Sequence, residues 1–417
     1  MGQTIIEKII SNHSTEQVKV GEIAIVDVDL IMATDTTGPL AIQAFERMGG
    51  TNVWDPDKIK LVIDHASPAP NQKIAVLHDL IREFAVKHGI RLYDVGDGIC
   101  HQLMIDNHHV LPGQLVLGAD SHTCTYGAVG AFATGVGSTD LAGVMLTGKT
   151  WLKVPETIKI VLSGQLQKGV YAKDLILHIV GIVGIQGATY QAIEFTGEVI
   201  KTMSLDSRMT MANMVIEMGA KAGFVDLEGL KLPYEFTAIE ADPDANYIKT
   251  IEIDVSDIEQ QIAIPHSPDN VKGISEVNEI SIQQAFIGSC TNGRLEDLHV
   301  AADILKGKKI HPQVRLIIAP ASRNVFQKAL ADGTIEILSA AGATFLPSGC
   351  GPCVGTHQGV PGNGENIVSS TNRNFQGRMG NRESNIFLGS PAFVATAALH
   401  GKIINPNLAI QGGAIVR

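Results

Sequence analysis

Short apolar runs alternate along the chain with longer stretches whose apolar residues recur at helical spacing. Lys60-Leu61-Val62-Ile63 is one such run. After a break at Ser67-Pro68-Ala69-Pro70, the residues Ile74, Leu77, Ile81, Phe84 and Ala85 predict a helix over 71–88, with Gly89 where a C-cap belongs. The same grammar recurs at Leu115-Val116-Leu117, Ala285-Phe286-Ile287, Leu316-Ile317-Ile318, 343–346, Ile367-Val368 and Ile386-Phe387-Leu388. Continuous apolar runs interleaved with helices predict an α/β fold with mostly parallel sheets. The opening Thr4 to Ile10 is a helix-like mixture of acidic and apolar residues. The weakly charged stretch from Thr123 to Thr139 is rich in Gly, Ser and Thr and reaches Asp140, which suits a buried helix start better than a membrane span.

Composition shifts near Val154-Pro155-Glu156 and across the polar segment 267–279. These shifts predict three α/β units at 1–155, 156–278 and 279–417, the middle one smaller and containing Lys159-Ile160-Val161-Leu162 and 192–195. A length of 417 residues fits this division, because a single core stops growing well below it. The net charge of −11 disfavours a nucleic-acid surface, which needs clustered Lys and Arg, and so weighs against an RNA-binding regulator. The N-terminal residues lack a basic stretch followed by an apolar one, so a cytoplasmic protein is expected. Five cysteines without an export signal point to ligand or thiol chemistry rather than a disulfide framework.

In open parallel sheets, ligands bind beyond the carboxyl ends of the strands. Five polar constellations occupy such places: Asp64-His65, Asp120-Ser121-His122-Thr123, Cys290, the pair Cys350 and Cys353, and Asn372-Arg373. Any one could be an incidental loop residue; five together predict a site.

Gly349-Cys350-Gly351-Pro352-Cys353 is a C-x-x-C whose glycines let the backbone wrap a bulky ligand. Alone it fits zinc, redox or structural roles equally. Cys290 precedes a predicted helix over 294–306, where backbone N–H groups favour thiolate. A structural zinc site would need a fourth ligand, and Cys100 and Cys124 lie in separate earlier motifs. Three thiolates on a four-iron cluster would leave one iron open as a Lewis acid for a poor leaving group such as hydroxide. An electron carrier would instead cap every iron.

Taken in order, Asp64-His65, Gly98-Ile99-Cys100-His101-Gln102, 118–123, 287–292, 349–353 and Asn372-Arg373-Asn374-Phe375-Gln376-Gly377-Arg378 resemble the aconitase superfamily of iron–sulfur hydro-lyases over essentially the whole chain. The resemblance implies three α/β domains around a central iron–sulfur site and a hydroxyl shift on a small di- or tricarboxylic 2-hydroxy acid. Isopropylmalate, homocitrate, methylmalate and dimethylmalate are the candidates. It implies a 4Fe-4S cluster on Cys290, Cys350 and Cys353 with one iron not held by protein. Arg373 and Arg378 would grip carboxylates, and Asn372 and Ser121 would touch substrate. Asp64 with His65, Asp120 with His122, and Glu194 with His101 would be carboxylate–imidazole pairs serving the departing hydroxide. The bland alternative for Glu194 is an ordinary strand residue. Arg208-Met209-Thr210 also follows the family pattern, with an architectural role expected. Thr34 departs from it, since many relatives of this subtype carry His before Asp35. Single-chain relatives add a swivelling domain with a catalytic serine, whereas this sequence stops soon after Ser390-Pro391-Ala392-Phe393, so a separate small subunit carrying that domain is implied.

Overall fold

A computed structural model describes residues 2–404, and three sheets organise them. The first has five parallel strands in the order Arg91–Tyr93, Ile59–Val62, Leu30–Thr34, Leu115–Gly118 and Phe132–Gly135. The second has four, Ala222–Val225, Ala192–Thr196, Thr157–Ser163 and Lys249–Asp254, also parallel. In the third, Asn385–Leu388, Asn366–Ser369, Gln284–Ile287, Arg315–Ile318 and Thr344–Phe345 run parallel, and two short antiparallel strands extend one edge. The fold is α/β with mostly parallel sheets. No helix among the described residues is long and apolar enough to cross a membrane.

Local chemistry sets many of the helix ends. Thr4 and Glu7 form a reciprocal capping box on the first helix, Ile5–Asn12. Helix Gln72–His88 begins where the Asn71 side chain accepts the Ile74 N–H and ends at Gly89, whose φ of 70° a larger residue would resist.

Two expectations need correction. The segment from Thr123 is not the start of an α-helix: Ser121–Val129 is a run of 3-10 turns, followed by strand Phe132–Gly135, and the α-helix begins only at Ser138. The run packs closely on the second sheet, where a side chain at Gly127 would strike the carbonyl of Gly223. Gln261–Ala263 and Val271–Gly273, read in sequence as part of the middle unit, are hydrogen-bonded into the third sheet through Ala263 and Leu388. The third sheet therefore begins before the boundary drawn at 278.

The second sheet shares its core with residues of the first sheet such as Met32, Val62 and Val116 and with Cys290, Cys350 and Cys353, so apolar packing continues up to the sulfurs.

Candidate active site

Loops from two sheets meet over one cavity of about 180 Å³. The first sheet sends in His65 after strand Ile59–Val62 and Asp120, Ser121 and His122 after Leu115–Gly118; the third sends in Cys290, Cys350, Cys353, Asn372, Arg373 and Arg378. His101 arrives from the first turn of helix Cys100–Asp106.

The backbone is shaped for this convergence. The Cys350 N–H donates to the Asp64 carbonyl at 2.9 Å, tying the C-x-x-C loop to the Asp64-His65 turn. A Cβ on Gly349 would come within 2.8 Å of that same carbonyl oxygen, so only glycine permits the approach. Ser289, beside Cys290, holds a left-handed φ of 72°, a conformation that costs a non-glycine residue energy and recurs at functional turns.

Carboxylates hold the imidazoles. His65 has Nδ1 2.8 Å from Asp64 and Nε2 3.2 Å from Asp120. His101 Nε2 lies 2.9 Å from Asp120, with Nδ1 3.2 Å from the Tyr126 hydroxyl. Burial alone would raise the Asp120 pKa, but His101, His122 and His65 together hold it well below the usual carboxylate range. Burial opposes charge on His65, yet Cys350, Asp64 and Asp120 raise it well above the ordinary imidazole value.

The pairing differs from the sequence expectation in two places. Glu194 does not meet His101: its carboxylate accepts the Tyr247 hydroxyl at 2.9 Å on strand Ala192–Thr196, and it does not line the cavity. Burial raises its pKa, as it does for a carboxyl with one neutral partner. The side chain of His122 turns from Asp120, 3.7 Å away, to Glu217 at 3.0 Å. Glu217 also accepts Arg373 Nε at 2.9 Å, and His122 and Arg373 hold its pKa down against burial. Sequence reading missed Glu217, although a lone acid in Met214-Val215-Ile216-Glu217-Met218 is a signal, because a buried carboxylate needs a partner.

Asp35 was also passed over as a site element. It accepts the N–H groups of Asp64, His65 and Ala66 at 3.1, 2.8 and 2.7 Å, and so fixes the turn that presents His65. Thr34 is buried beside it and bonds Thr36 and Thr37, away from the cavity. Arg208 is architectural: its guanidinium donates to the carbonyls of Ile200, Met203, Asp226 and Glu228.

Cys290, Cys350 and Cys353 are all buried on the cavity wall. Burial pushes the Cys290 thiol up to about 12 and raises Cys350 as well, so a thiolate at either sulfur calls for a cation beside it. Asn213 and Asn372 donate to the Cys290 sulfur at 3.2 and 3.5 Å, and Arg378 approaches Cys353 at 3.6 Å, as donors do around thiolates in metal sites. Among the described residues the buried Asn372 Oδ1 and Arg378 Nε have no hydrogen-bond partner. A soft, sulfur-rich wall with unmet polar atoms fits an iron–sulfur cluster and an oxygen-rich ligand.

The family model for the aconitase family (aconitate hydratase) matches residues 7–281 and 274–401. The chain belongs to the aconitase family. Membership implies an iron–sulfur cluster, which Cys290, Cys350 and Cys353 on the cavity wall are suited to hold. Among curated relatives, the chain is 50% identical to 3-isopropylmalate dehydratase large subunit 1 of Methanopyrus kandleri over 414 residues, covering 97% of this chain and 99% of that protein. It is 50% identical to the 3-isopropylmalate dehydratase large subunit of Elusimicrobium minutum, with the same coverage. Identity to large subunit 1 of Thermotoga maritima is 49% over 416 residues, covering 97% and 99%.

Proposed function

We propose that this chain is the large subunit of a 4Fe-4S hydro-lyase that isomerises 2-isopropylmalate to 3-isopropylmalate by dehydration and rehydration, a reaction of leucine biosynthesis. The observation that carries the reading is the convergence of Cys290, Cys350 and Cys353 with three carboxylate-held histidines and two arginines on one cavity. The near full-length match to chains named 3-isopropylmalate dehydratase large subunit supports the substrate.

In this reading Cys290, Cys350 and Cys353 hold the cluster, which when bound supplies a Lewis-acid iron without a protein ligand. Arg373 spends Nε on Glu217, and no hydrogen bond among the described residues uses its terminal nitrogens, so these can fork a substrate carboxylate. Arg378 takes the second carboxylate, and Ser121 and Asn372 orient the molecule. His101, backed by Asp120, is placed to give a proton to the departing hydroxide; His65 shares that carboxylate, and Glu217 holds His122 on the same wall. Proton abstraction from carbon needs a base that a small subunit carrying the swivelling domain supplies.

The test is anaerobic reconstitution of both subunits, comparing hydration of isopropylmaleate, homoaconitate, aconitate and citraconate. Fastest turnover of isopropylmaleate supports the assignment; a preference for any other acid, or full activity without the second subunit, overturns it.

A further inference from the structure

Helix Ala172–Val183 sends its second residue, Lys173, inward, where the side chain is wholly buried. A buried lysine persists only when the ammonium's donors are met. All three find acceptors here: Nζ donates to the Ser370 and Thr371 carbonyls at 2.7 Å each and to Asn292 Oδ1 at 3.5 Å.

The acceptors belong to two different loops. Asn292 sits in the turn that carries Cys290, and Ser370-Thr371 lead directly into Asn372 and Arg373. Other bonds join these loops, such as Asn372 Nδ2 to Thr291 Oγ1 at 2.9 Å and Ser370 Oγ to the Asn292 carbonyl at 3.1 Å, but they are neutral. Burial pushes Lys173 down to about 7, while Asp297, Asp174 and the sulfurs of Cys353 and Cys290 pull it up. The ammonium is the form that uses three acceptors, and negative sulfurs favour it further. Lys173 does not line the cavity, so nothing in the reaction above employs it.

We propose that Lys173 is a positioning residue that clamps the Cys290 turn to the Asn372-Arg373 turn and sets a buried positive charge behind the cluster thiolates. The inference rests on the cluster reading given above. It has two separable consequences, one for geometry at Arg373 and one for the cluster's electron affinity.

Lys173→Met keeps an unbranched, comparable shape without charge or donors, and Lys173→Arg keeps the charge with a different fork. Both are made in the full chain, reconstituted anaerobically with its second subunit, and measured for iron content, cluster reduction potential and the split between KM and kcat. Lys173→Met is expected to move the potential to more negative values and to raise KM about tenfold, the scale of a lost charge-assisted hydrogen bond. Lys173→Arg is expected to keep a potential near that of the unaltered chain while KM still rises. An unchanged potential and KM in Lys173→Met overturns the clamp. Should Lys173→Met fail to fold or to retain iron, Lys173→Arg decides: a potential displaced despite the retained charge overturns it. If the unaltered chain takes up no cluster, the functional reading falls first, whereas a loaded chain indifferent to Lys173→Met sinks the clamp alone.

Discussion

Glu217 Oε1 lies 3.0 Å from His122 Nε2 and accepts Arg373 Nε at 2.9 Å, so one carboxylate orients an imidazole and a guanidinium at once. The Arg373 fork is aimed because its Nε is pinned. Replacing Glu217 by Gln keeps the shape and removes the charge, which is expected to lower kcat/KM about 100-fold, the scale of a disrupted acid–base group. Glu194→Gln, remote from the cavity, is expected to stay near the unaltered rate. Steady-state kinetics on the two variants decides, and equal losses would return Glu194 to the site.

Cysteine replacement separates cluster ligands from a neighbour. Cys100 also lines the cavity, but it opens helix Cys100–Asp106, outside the turns that carry the other three, with its N–H donating to Asp64 Oδ2 at 2.8 Å. Cys290→Ser, Cys350→Ser and Cys353→Ser are each expected to abolish iron retention after reconstitution, while Cys100→Ser retains it. Iron and sulfide analysis per chain reads the result.

Arginine and lysine are not equivalent where two parallel donors meet a carboxylate. Arg373→Lys and Arg378→Lys are expected to raise KM for the hydroxy acid by roughly 10- to 100-fold, the cost of losing one or more charge-assisted hydrogen bonds. Unfolding midpoints should move little by comparison. A lysine variant with an unaltered KM would remove that arginine from the substrate contacts.

Acid sensitivity should trace partly to Asp35. Burial opposes its charge, but His78, His65 and the backbone N–H groups of His65 and Ala66 hold its pKa at about 2. A depressed folded value means stability that is present above the unfolded value of 3.8 and lost as pH falls toward 2. The full contribution is about 2 kcal/mol, of which about 1 kcal/mol disappears between pH 5 and pH 3. Asp35→Asn is expected to be less stable at pH 7 and to lack that part of the acid slope, as urea unfolding at several pH values would show.

What the sequence made legible was local. Asn71 and Gly89 mark helix ends through their own backbone and side-chain chemistry, so helix Gln72–His88 could be bounded without its neighbours. The rule that ligands gather beyond parallel strand ends located His65, Asp120, Cys290 and Arg373, because each follows an apolar run directly. What escaped depends on distant partners. Glu217 is 95 residues from His122 and 156 from Arg373, so no spacing pattern joins them. Glu194 resembled a site residue in sequence, yet strand Ala192–Thr196 carries it to Tyr247 instead. The 3-10 run Ser121–Val129 packs against Gly223, far along the chain, and the three-residue strand Gln261–Ala263 owes its sheet to a single pairing with Leu388.

The most direct measurement is a crystal structure of the chain after anaerobic reconstitution with iron and sulfide. The account predicts one cluster bonded to the sulfurs of Cys290, Cys350 and Cys353, with its remaining iron facing His65, His101 and Arg373 and bound by no side chain of this chain. A cluster closed by Cys100, a single zinc ion on these cysteines, or metal seated elsewhere would contradict it.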